Sequence, residues 1–85
     1  MIWKIRVAKT AEKQLRRIPK KDIDRIIDAV DNMEADPFSG DIIKLGGEDH
    51  VWRRRIGNYR IKYKILMNER IVDIYDIDRR TSSTY

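Results

Sequence analysis

The chain has no cysteine, one histidine, two prolines and four glycines in 85 residues. Without cysteine there is no disulfide, no thiolate nucleophile and no cysteine-based zinc site, a composition that suits a reducing compartment. A single histidine, His50, rules out a histidine pair and leaves a transition-metal centre short of its usual ligands. The expectation is no metal and no cofactor. Long apolar runs are also missing: none approaches the roughly 18 residues that cross a bilayer. The opening MIWKIRVAK alternates polar and apolar residues, whereas a signal peptide is continuously apolar. These absences point to a soluble cytoplasmic protein with no membrane partner, and 85 residues leave room for one domain, 1–85.

Positive charge is abundant. Nineteen Lys and Arg against fourteen Asp and Glu give a net charge of +5, which favours a polyanionic or acidic partner. The acids concentrate in Asp22–Asp36 and Asp73–Asp78, leaving the middle basic. The segment Val51–Lys64, VWRRRIGNYRIKYK, has six cations, three aromatic rings and no acid. Tyr59, Ile61, Tyr63 and Ile65 alternate with Arg60, Lys62 and Lys64, the period of a half-buried strand. In the preceding strand Arg53 and Arg55 share one face, and Trp52, Arg54 and Ile56 the other. Gly57-Asn58 between them tolerates positive φ, so the segment reads as a β-hairpin with one apolar and one basic face.

The rest of the chain supplies the layers around this hairpin. Residues Ile2 to Val7 alternate as a first strand. A helix follows from about Thr10, read as its N-cap, with Ala11, Leu15 and Ile18 inward, until Pro19 ends it. A second helix, about Lys21 to Ala35, carries the stripe Ile23, Ile26, Ile27, Val30 and Met33 and stops at Asp36-Pro37. Residues Phe38 to Asp49 read mostly as connection, and Ile71–Ile77 as a last strand beyond a turn near Asn68-Glu69. The predicted fold is α+β: an N-terminal strand, a helical hairpin, then a three-stranded antiparallel meander, with two helices on one face of a small twisted sheet.

This order resembles the RelE/ParE toxin superfamily of toxin–antitoxin pairs. The likeness rests on Lys44-Leu45-Gly46 after the helical hairpin, Trp52 to Arg60 leading into Ile61-Lys62-Tyr63, and the Arg79-Arg80 ending with Tyr85. It implies a βααβββ domain and a cytoplasmic toxin neutralised by a cognate antitoxin with an acidic or amphipathic segment. The superfamily includes enzymes that cut messenger RNA in the ribosomal A site and proteins that poison DNA gyrase. Fold alone does not choose between them.

For the nuclease, the resemblance implies that Arg60 stabilises the phosphate, joined by Arg79, Tyr85 and a basic residue at Arg53. Arg55, Lys44, Lys62, Lys64 and Arg80 would contact RNA. The competing reading pairs Arg60 with Asp73 or Asp76 across the strands. Arg53 stands where a lysine is proposed as general base, and a guanidinium is a poor proton acceptor at neutral pH. His50 or Glu48 could replace it. The alternatives are a gyrase inhibitor and a non-catalytic nucleic-acid- or antitoxin-binding module on the same scaffold.

Overall fold

The computed structural model describes residues 2–45 and 50–79. Strand β1 spans Lys4–Val7, helix α1 Lys9–Arg16 and helix α2 Lys20–Ala35. Strands β2 (Ile42–Lys44), β3 (Val51–Ile56), β4 (Tyr59–Leu66) and β5 (Ile71–Arg79) follow. All five form one sheet in the order β1-β5-β4-β3-β2. The meander β3-β4-β5 is antiparallel as its alternation predicts, while β1 runs parallel to β5, so the sheet is mixed. Among the described residues no helix is long and apolar enough to cross a membrane.

Strand β2 is the element that the sequence reading leaves as connection. Its three residues are too few to show a period. It becomes a strand only because β3 offers it an edge, with Ile43 opposite Arg53. The turn before it needs Gly40, whose φ is +87° and whose Cα lies under the Arg54 side chain. A Cβ there would sit 2.7 Å from Arg54 Nε. Gly40→Ala is expected to cost about 1–2 kcal/mol from the left-handed backbone alone. A thermal melt should fall by about 5–15 °C.

Helix α1 starts two residues earlier than expected. Its N-cap is Ala8, with no side-chain cap, and Thr10 lies inside the helix. Ala8 N–H instead donates to the Ile74 carbonyl at 2.8 Å, so the chain enters the helix directly from pairing with β5. Pro19 caps α2, and Asp36 closes it as the following proline requires. Asp36 then accepts the Phe38 N–H at 3.0 Å, fixing the exit.

The core lies between the helices and one face of the sheet. Tyr59, Ile61, Tyr63 and Ile65 of β4, Val72, Ile74 and Ile77 of β5, and Ile26 and Met33 of α2 are buried there. Each such aliphatic side chain contributes about 1.5–3 kcal/mol by leaving water. The α2 stripe is rotated from the expected one: Ala29 is buried, and Ile27 is 45% exposed. Alanine carries little hydropathy signal, yet its small side chain lets α2 approach β3, where Arg54 Nη1 donates to the Ala29 carbonyl at 3.3 Å. Beyond Val7, strand β1 no longer covers β5. Gln14 of α1 does so instead, accepting the Ile77 N–H at 2.6 Å and donating to Asp76 at 2.7 Å.

Candidate nucleic-acid interface

The face of the sheet away from the helices displays the charge. Directly paired residues share a face, so Arg53 with Lys62 and Arg55 with Arg60 form two successive like-charge rungs between β3 and β4. Lys64 continues the row, its ammonium 5.6 Å from the Tyr75 ring centroid. Arg53 is partly buried, and its Nε has no hydrogen-bond partner. Arg55 pairs with Asp41 at 3.1 Å near the edge strand.

Acids share this face, which the hairpin sequence reads as basic. They come from β5. Its register sets Asp78 opposite Arg60 and Asp76 opposite Lys62. Arg60 Nε donates to Asp78 Oδ1 at 2.9 Å, so the carboxylate partner is Asp78 and not Asp73 or Asp76. Lys62 Nζ lies 3.5 Å from both Asp76 Oδ2 and Asp78 Oδ2. All four side chains retain a quarter to a third of their exposure. Such part-exposed pairs contribute only about 0–1 kcal/mol each, so an incoming phosphate can compete for the cations.

Other residues expected at the site point elsewhere. Arg79 pairs with Tyr59 on the helix side, its guanidinium 6.0 Å from that ring's centroid. It lines a cavity of about 340 Å³ with Gln14, Arg17, Ile18, Pro19 and Ile77. Neighbours along a strand face opposite ways, so Arg60 and Arg79 leave opposite faces and do not converge. Lys44 pairs with Trp52 and therefore also lies on the helix side. His50 is not beside Arg60 either. Its carbonyl accepts the Ile65 N–H at 2.8 Å, and it lines a different cavity with Phe38, Trp52 and Met67. Five residue steps along β4 lead from Ile65 to Arg60, about 17 Å. Gly46, Glu48, Arg80 and Tyr85 lie outside the described residues.

The tyrosines of β4 belong to the core, as read. Tyr59 is buried and donates to Asp22 at 3.0 Å; burial first, then the carboxylate, pushes its pKa above 10. Trp52 is half-buried, packed edge-on to Phe38 at 5.6 Å. One contributor escaped the sequence reading, Asp78; Asp76 was read as a partner for Arg60 and meets Lys62 instead. The acid-rich run on β5 was visible, but only the antiparallel register brings it against Arg60 and Lys62.

Two helices lie over a five-stranded sheet whose open face is cationic. A family model described as the ParE toxin of the type II toxin–antitoxin system parDE matches residues 5–83. RelE1 of Methanocaldococcus jannaschii is 30% identical over 83 residues, covering 94% of this chain and 92% of that one. The archaeal RelE–RelB complex from Pyrococcus horikoshii OT3 matches with a TM-score of 0.84 at 26% identity, covering 98% of this chain and all of that one. The isolated Escherichia coli RelE toxin shares the fold at a TM-score of 0.84 and 14% identity, over 96% and 88% of the two chains. This chain belongs to the RelE/ParE superfamily and is the toxin of a type II toxin–antitoxin system.

Proposed function

We propose that this toxin is a cytoplasmic endoribonuclease that cuts messenger RNA in the ribosomal A site without a metal. One observation carries the reading: the two stacked like-charge rungs Arg53–Lys62 and Arg55–Arg60, with Arg53 Nε unpartnered. Opposed cations each cost a sheet about 0.2–1 kcal/mol, and an unsatisfied buried donor about 1–3. A phosphodiester laid on this face relieves both. Arg60, held at Nε by Asp78, keeps its Nη donors for phosphate oxygens, and a guanidinium fork suits two of them at once. The reaction is attack by the RNA 2′-OH on the adjacent phosphate, with the arginines stabilising the charge that develops. Arg53 and Arg55 flank the same strand of RNA. Neutralisation follows from the same charge: the cognate antitoxin lays an acidic or amphipathic segment over β3 and β4, consistent with similar toxins crystallised with RelB partners.

Gyrase inhibition is the second reading. It gains support from the opposite orientation of Arg60 and Arg79 and from a family match described by ParE. Purified protein in a translating extract separates the two. The expected result is truncated transcripts, with DNA supercoiling by gyrase unaffected. Intact transcripts together with blocked supercoiling would replace the first reading with the second.

A further inference from the structure

Resting on that nuclease reading, we propose that Asp78 and Lys62 are its general base and general acid. Arg53, at the expected base position, is a guanidinium, and His50 lies about 17 Å along the sheet on the other side. A proton acceptor nevertheless sits at the phosphate-binding arginine. Asp78 Oδ1 holds Arg60 Nε at 2.9 Å, and Oδ2 lies 3.5 Å from Lys62 Nζ. Lys62 in turn faces Arg53 across β3 and lies 3.5 Å from Asp76, which Gln14 fixes at 2.7 Å. A phosphate over Arg53 and Arg60 therefore has a carboxylate on one side and an ammonium beneath it.

The chemistry balances without a co-reactant. The Asp78 carboxylate takes the 2′-OH proton as the O2′–P bond forms. The P–O5′ bond breaks as Lys62 gives a proton to the leaving 5′-oxygen, yielding a 2′,3′-cyclic phosphate and a 5′-hydroxyl. The proton on Asp78 then passes to the neutral Lys62 amine, and both groups return to their starting charge. Asp76 is a positioning residue that holds the lysine during the exchange.

The test uses the full-length protein in a reconstituted translating system with a defined messenger RNA. A copy carrying a 2′-deoxy residue at the cut site serves as an uncleavable binding probe. Asp78→Asn should slow single-turnover cleavage by about 10²–10⁴-fold while binding the deoxy probe as tightly as wild type or more so. Lys62→Gln should also slow the cut. Lys62→Arg, which keeps the charge but not the transferable proton, should not restore it. Asp78→Glu, which keeps an acceptor, should recover part of the rate. Cleavage by Asp78→Asn within threefold of wild type, while Arg60→Ala is inactive, would overturn the pair and leave the nuclease reading standing. Equal losses in Asp78→Asn and Asp78→Glu, accompanied by a lowered melt or lost probe binding, would also overturn it by making Asp78 structural. If wild-type protein leaves the messenger uncut, the nuclease reading fails and this pair with it.

Discussion

Arg60→Ala is expected to reduce transcript cleavage by about 10²–10³-fold, the loss that follows removal of one donor to a developing oxyanion. The melting temperature should change little, because the pair it breaks with Asp78 is part-exposed, with 34% and 29% of the side chains accessible. The folded sheet is then intact, and the lost rate reports on chemistry. Arg79→Ala provides the contrast. Its guanidinium lies over Tyr59 on the helix side, away from Arg53 and Lys62. Single-turnover cleavage by that variant should stay within about tenfold of wild type, one factor of about 1.4 kcal/mol. Equal, thousandfold losses from both arginines would mean that RNA wraps the end of β5 to touch both faces.

The largest stability effect is expected at Tyr63. Its side chain is fully buried, and its hydroxyl donates to the carbonyl of Pro37, itself buried, at 2.9 Å. Tyr63→Ala removes a whole aromatic ring from the centre of β4, a loss of about 3–5 kcal/mol by analogy with other aromatic truncations. A domain of this size has only about 5–10 kcal/mol to lose, so the melt should drop by about 15–30 °C. Tyr63→Phe keeps the packing but leaves the Pro37 carbonyl unsatisfied, at about 1–3 kcal/mol.

The same phenol makes the protein sensitive to alkali. Burial raises its pKa from 10 to about 12, so the folded state holds this proton more tightly than the unfolded chain does. That contribution is complete below pH 10 and is lost as the pH rises toward 12. Tyr59, raised for the same reason, acts with the same sign. Denaturant melts of wild type should weaken steeply over this range. Those of Tyr63→Phe should weaken less, and identical slopes would rule Tyr63 out as a cause.

Much of the architecture was legible because it depends on short-range patterning. Pro37 had to stop α2, since the residue before a proline is pushed out of helical geometry, and Asp36 is its C-cap. The alternation from Tyr59 to Ile65 had to bury every second residue, and it does. Arg54 was correctly grouped with Trp52 and Ile56 by parity, although only the fold shows its guanidinium bonded to α2. The misses share a cause. Strand β2 exists because an edge was available, and Ala29 is buried because it is small. Neither property is carried by local hydropathy.

The site divides in the same way. The cations of β3 and β4 were readable as one face, because strand parity is a property of consecutive residues. The sequence by itself therefore determined an α+β scaffold with a basic hairpin face. The tertiary structure alone decided which acids meet those cations and where Arg79 points. Both depend on the register and bulge between β4 and β5, and register is set by how whole strands pack together over the core.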